Sequence, residues 1–149
     1  MKVIVYYSYG GNTRGIANKL KDRLGCDIFE ITPLKPYTSD YNELVEEAKG
    51  YALDNAMPFI NEVNLDKYDE IILLTPVWWY TYAPVINTFL NSYDFKGKVF
   101  YVIATNAGWL GHTFEDIEKI VCVKKKLSLV FDNGVLKNES DFDNWIDNL

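Results

Sequence analysis

The chain has 149 residues, 48% of them hydrophobic and 24% charged, which excludes a disordered chain and leaves room for one domain (residues 1–149) with a substantial core. A net charge of −6, with Lys124-Lys125-Lys126 as its only basic run, excludes a nucleic-acid binder. No apolar run reaches the length of a membrane span and structure begins at Val3 with no leader ahead of it, so a cytoplasmic protein without membrane contact is expected.

Val3 to Tyr7 is a short unbroken apolar run, the pattern of a strand buried on both faces, and Lys2 to Tyr7 is read as the first strand. Asn12 to Leu24 is a helix with Ile16, Ala17, Leu20 and Leu24 on one face, stopped by Gly25. Cys26 to Ile31 is the second strand, followed by a loop holding Pro33 and Pro36. Tyr41 to Ala56 is the second helix, with Leu44, Val45, Ala48, Tyr51 and Ala52 inward. Glu70 to Thr75 is the third strand, and Pro76 to Tyr82 an aromatic loop. Pro84 opens the third helix, which runs to Tyr93. Lys98 to Ala104 is the fourth strand, and Thr105 to His112 a loop of small residues. Thr113 is expected to cap the fourth helix, with Phe114, Ile117, Ile120 and Val121 inward. The lysine run reads as a solvated helix end, and Leu127 to Phe131 as the fifth strand. A tight turn at Asp132-Asn133-Gly134 leads to a short return strand at Val135 and Leu136. Ser140 is expected to cap a last helix that buries Phe142, Trp145, Ile146 and Leu149. Cys26 and Cys122, in no metal-like spacing, read as buried free thiols.

Alternating strands and helices specify an α/β fold: a doubly wound parallel sheet of five strands with helices on both faces, for which the order 2-1-3-4-5 is expected. Ligands of such sheets bind at the carboxyl ends of the strands, where strand order reverses. The three unusual loops follow strands one, three and four. In the first, Ser8, Tyr9, Gly10, Gly11, Asn12 and Thr13 combine hydroxyls, an amide and a sharp glycine turn with the positive end of a helix, a recipe for holding phosphate. In the second, Pro76, Val77, Trp78, Trp79 and Tyr80 offer faces on which a flat ring can stack. In the third, Thr105, Asn106, Ala107 and Gly108 allow close backbone approach, with Trp109 as a second possible face. Phosphate at one end and aromatic walls at the other suit a flavin mononucleotide better than a sugar phosphate.

On these residues the chain resembles a short-chain member of the flavodoxin-like family, a three-layer sandwich, over nearly its whole length. Ser8-Tyr9-Gly10-Gly11-Asn12-Thr13 is similar to that family's phosphate loop, Thr75-Pro76-Val77-Trp78-Trp79 to its first ring-binding loop, and Thr105 to Gly111 stands where its second falls. Tyr9 and Gly10 replace hydroxyl residues found in many flavodoxins, and Trp109 is bulky for its place. The resemblance implies a noncovalent FMN, with Ser8 to Thr13 on the phosphate, Pro76 to Tyr80 bordering the isoalloxazine, and Thr105 to Gly108 presenting backbone to its pyrimidine edge. Trp78 is expected to carry the stacked face, with Trp79 turned toward protein or rim. The implied role is low-potential electron transfer to redox partner proteins, and the acidic balance suits a partner with a basic docking face. A monomer or weak dimer is expected.

Other readings bear on the same residues. Ser8-x5-Arg14 has the spacing of the Cys-x5-Arg loop of small tyrosine phosphatases, but a serine without an adjacent base cannot replace that thiolate. A Walker-type loop fails for want of a lysine, and a phospho-receiver site for want of an acidic pair after strand one. His112, the only histidine, reads as a helix-cap or solvent-facing residue. Two alternatives stay open: an FMN-dependent NAD(P)H or quinone oxidoreductase of the same fold, and a flavin-free interaction module.

Overall fold

The computed structural model describes residues 1–149. The elements in chain order are β1 (Lys2–Tyr6), α1 (Asn12–Leu24), β2 (Asp27–Glu30), α2 (Tyr41–Leu53), β3 (Glu70–Trp78), β4 (Thr81–Tyr82), α3 (Pro84–Ser92), β5 (Val99–Asn106), α4 (Thr113–Glu118), β6 (Val123–Asp132), β7 (Val135–Leu136) and α5 (Glu139–Asp147). Five strands form the parallel sheet in the order β2-β1-β3-β5-β6, which is the expected order. Two short antiparallel strands are added to it: β4 folds back on β3, and β7 on β6.

The two-residue period of the strands divides the core. Val3, Val5, Ile71, Leu73, Phe100 and Val102 face one way and meet Val85, Ile86 and Phe89 of α3 and Phe114 and Ile117 of α4. Ile4, Tyr6, Ile72, Leu74, Tyr101 and Ile103 face the other way and meet Ile16, Ala17 and Leu20 of α1 and Phe142, Trp145 and Ile146 of α5. β1 and β3 carry apolar side chains on both faces because both faces are covered. In-register pairing of Tyr6 with Leu74, and of Thr75 and Pro76 with Ala104 and Thr105, brings the carboxyl ends of β1, β3 and β5 to one rim.

Several expectations are corrected here. Pro76 to Tyr82 is a hairpin, not a loop: β3 continues through Trp78, turns at Trp79-Tyr80, and pairs Val77 with Tyr82 and Trp78 with Thr81. The lysine run is not a helix end. It lies in β6, which starts at Val123, with Lys124 and Lys126 exposed and Lys126 paired to Glu118 at 2.7 Å. Lysines on a strand near the sheet edge discourage pairing with a second chain. The residue preceding α4 is His112, and Thr113, the first helical residue, instead donates its hydroxyl to the Leu110 carbonyl at 2.7 Å. Ser140 lies inside α5, whose preceding residue is Asn138; that side chain is engaged with Val130 N and the Ser128 carbonyl at 2.9 Å each. Ile120 is 39% exposed because α4 ends two residues earlier. Cys26 is half-buried and Cys122 exposed, both as free thiols. No helix is long and apolar enough to cross a membrane.

Candidate functional site

The carboxyl ends of β1, β3 and β5 open on a cavity of about 570 Å³, a size usual for small-molecule sites. Tyr9, Gly10, Asn12 and Thr13 line one end of it. Pro76, Val77, Trp78, Trp79 and Tyr80 form a side wall, and Thr105, Asn106 and Ala107 line the remainder of that rim. Three segments far apart in the chain therefore meet in one concavity. Ser8, Gly11 and Gly108 do not line it. The Ser8 hydroxyl oxygen accepts from Gly11 N at 3.1 Å, Gly11 adopts φ 98° at the start of α1, and Gly108 donates its amide to Asn106 Oδ1 at 2.9 Å, so these three shape the loops.

The first end is built for an anion. Gly11 brings no side chain to cap α1, and the first turn of α1 holds no acid. The amides of Asn12, Thr13 and Arg14 therefore have no acceptor in their own helix, at the positive end of its dipole. α2 shows the contrasting arrangement, since the Asp40 carboxylate accepts from Asn42 N at 3.0 Å and Glu43 N at 3.2 Å. Arg14 brings no free charge: it pairs with Glu30, and that hydrogen bond holds its pKa above the ordinary value. The donor set is neutral throughout. Thr13 Oγ1 lies 2.7 Å from Thr105 Oγ1, both residues buried, which ties the first loop to the third across the sheet.

The second end is built from aromatic rings. Trp78 meets Tyr37, Tyr7 and Tyr9 edge-on, with centroids at 5.1, 5.8 and 6.0 Å, the geometry that ring quadrupoles favour. Burial pushes the phenols of Tyr7 and Tyr37 above their usual pKa, and the buried Tyr37 hydroxyl has no partner. This wall is uncharged at neutral pH. Trp79 lines the wall with its indole N–H donated to the Val45 carbonyl of α2 at 2.6 Å, and Lys49 Nζ lies 5.6 Å from its ring centroid.

The turn carrying Trp79 and Tyr80 has φ 50° and 68°. Two-residue hairpin turns of this kind require both central residues in the left-handed region, normally Asn-Gly. Side-chain-bearing residues there cost about 1–2 kcal/mol each. The turn is clasped from the third loop and α4. His112 N donates to the Tyr80 carbonyl at 2.8 Å, and Thr81 Oγ1 donates to Asp116 Oδ2 at 2.6 Å. Gly111 packs so close that a Cβ there would stand 2.3 Å from the Tyr80 carbonyl oxygen. The His112 ring is mostly exposed and meets the same Asp116 oxygen through Nδ1.

Sequence reasoning missed part of the wall. Tyr41, Leu44, Val45 and Ala48 of α2 line the cavity, as do Phe131, Asn133 and Gly134 at the β6–β7 turn. The turn was findable, because it follows the carboxyl end of a parallel strand and so lies at the ligand rim. No sequence signal marks α2, since Leu44, Val45 and Ala48 read as core and Tyr41 as the helix's exposed first residue. None of the lining residues is Asp, Glu, His, Cys, Lys or Arg. At the mouth, Tyr41, Tyr80 and Trp109 are 69%, 52% and 71% exposed.

A family model described as Flavodoxin matches residues 1–149. Among solved structures, the chain is similar to a candidate flavoprotein from Bacteroides eggerthii DSM 20697, with 26% identity, TM-score 0.82, and 99% of this chain and 96% of that one covered. A second candidate flavoprotein, from Bacteroides uniformis ATCC 8492, aligns at 24% identity and TM-score 0.83, over 98% and 97% of the two chains. A flavoprotein in complex with FMN from Lactobacillus acidophilus NCFM shares the fold at 21% identity and TM-score 0.76, over 97% of each chain. Among curated proteins nothing matches.

Proposed function

The chain belongs to the flavodoxin family, and from that premise we propose that it binds FMN and works as an electron carrier. The observation that carries the reading is the cavity itself: an anion site of neutral donors at one end, an uncharged aromatic wall at the other, and no carboxylate, histidine, cysteine, lysine or arginine in its lining. The residues present fit the cofactor. The free amides of α1 and the hydroxyl of Thr13 hold the phosphate, Trp78 borders one ring face with Trp109 available for the other, and Thr105 to Ala107 bring backbone to the remaining edge.

Bound there, FMN supplies the one- and two-electron redox chemistry. The protein contributes binding, exclusion of water and a field. With no cation in the lining and a chain charge of −6, negative charge added on reduction is opposed where water is excluded. The second electron should therefore enter at a lower potential than in free flavin, which a spectroelectrochemical titration measures directly. The aromatic collar at the mouth, Tyr41, Tyr80 and Trp109, gives a docking rim for a partner protein with a basic face.

The reductase reading draws on that same open mouth, which leaves access for a second substrate. The discriminating experiment begins with the absorbance spectrum of purified protein, followed by FMN titration to saturation. Steady-state NAD(P)H oxidation with a quinone acceptor comes next. A carrier gives a yellow, stoichiometric complex and no turnover; turnover would make the protein a reductase, and no FMN complex would defeat both readings.

A further inference from the structure

We propose that Asp116 is a positioning residue for the flavin site: from α4 it holds the β3–β4 hairpin in the one shape that gives the cavity its aromatic wall. The inference rests on the FMN reading and adds to it a residue outside the cavity lining.

The hairpin does not hold itself. Trp78-Trp79-Tyr80-Thr81 contains no Gly, Asn or Asp, the residues that adopt the left-handed turn without strain. Packing behind it is incomplete as well. A second cavity of about 290 Å³, which shares Trp78 and Ala48 with the first, is bounded by Thr81, Tyr82, His112 and Asp116 as well. A strained turn with open space behind it relaxes unless specific contacts hold it.

Apart from the Trp79 indole on the Val45 carbonyl, those contacts converge on Asp116. Its Oδ2 accepts from Thr81 Oγ1 at 2.6 Å and faces His112 Nδ1, while Lys119 Nζ stands 3.5 Å from Oδ1. His112 in turn donates its backbone N–H to Tyr80. The carboxylate thus ties the end of the hairpin and the residue that holds its tip to the same point. That point is fixed, because α4 buries Phe114 and Ile117 in the core beneath it. Burial opposes the charge on Asp116, but the Thr81 and His112 hydrogen bonds outweigh it and keep its pKa below the ordinary carboxylate value. At neutral pH the acceptor is therefore ionised and strong.

The test compares Asp116→Ala, Asp116→Asn and Thr81→Val with wild type, in the full chain. Amide hydrogen exchange over residues 75–82 is read before flavin is added; FMN dissociation constant and midpoint potentials are read after. Asp116→Ala and Thr81→Val should speed exchange in that segment and raise the FMN dissociation constant, each about tenfold, with displaced potentials. Asp116→Asn keeps an oxygen for Thr81 and should stay within about threefold of wild type. Unchanged exchange in Thr81→Val, a substitution too small to unfold the chain, would overturn the clasp. Faster exchange with affinity and potentials unmoved would overturn the positioning role. If wild type itself fails to bind FMN, the functional reading falls, and the flavin-free exchange measurement still decides whether the clasp exists.

Discussion

The two ends of the cavity are held in place in different ways. At the phosphate end, the shape follows from local chemistry: Gly11 takes a left-handed φ of 98° that glycine tolerates, α1 starts bare, and the Ser8 hydroxyl accepts from an amide three residues on. At the ring end, two bulky residues are forced into the same region of backbone space and kept there by α2, the third loop and α4. The first end is relaxed and local; the second is strained and depends on distant segments. The difference teaches where each end is vulnerable. Changes of charge damage the first, and changes of packing or clasp damage the second.

Placing a charge at the relaxed end gives the largest effect. Asn12→Asp sets a carboxylate at the first turn of α1, where it favours the helix dipole by about 0.3–1 kcal/mol but repels a phosphate. The melting temperature without flavin should hold or rise while the FMN dissociation constant increases about 100-fold. A fall in both would show that Asn12 is structural. At the strained end, Gly111→Ala puts a methyl group against the Tyr80 backbone. It should destabilise the chain by about 2 kcal/mol in urea unfolding, and weaken FMN binding through the hairpin. Trp78→Ala removes a half-buried ring from the wall and should cost about tenfold in FMN affinity by fluorescence titration; unchanged affinity would take Trp78 out of the site. The smallest change sharpens the comparison. Tyr80→Gly relieves one left-handed residue and should stabilise the apo chain by under about 1 kcal/mol. The same relief has no counterpart at the phosphate end, where glycine already occupies the left-handed position.

Much of the site was legible in particular residues. Thr13 and Thr105, 92 positions apart, both read as rim residues, and their hydroxyls lie 2.7 Å from each other. That worked because a parallel α/β sheet sends every strand's carboxyl end to one side. The hairpin was not legible. Pro76 to Tyr82 lacks alternation long enough to mark a strand and has no Gly, Asn or Asp to mark a hairpin turn, so it reads as a loop. The lysine run misled for a related reason: three consecutive charges look like a solvated helix end, and only the neighbouring strand β5 and the brevity of α4 make them part of β6. The expected caps fail because Ser140 lies inside α5 and Thr113, the first residue of α4, turns its hydroxyl to the Leu110 carbonyl.

By itself, then, the order of residues determined the alternation of strands and helices, the two-faced burial of the central strands and the bare first turn of α1. Each of these depends on neighbours within a few positions and on the burial of apolar faces. Tertiary structure alone decided the left-handed turn at Trp79-Tyr80, the inclusion of α2 in the cavity wall and the convergence of Thr81 and His112 on Asp116. These features run against local preference or carry no local mark. They persist because contacts from distant segments, made only once the sheet has assembled, offset the strain.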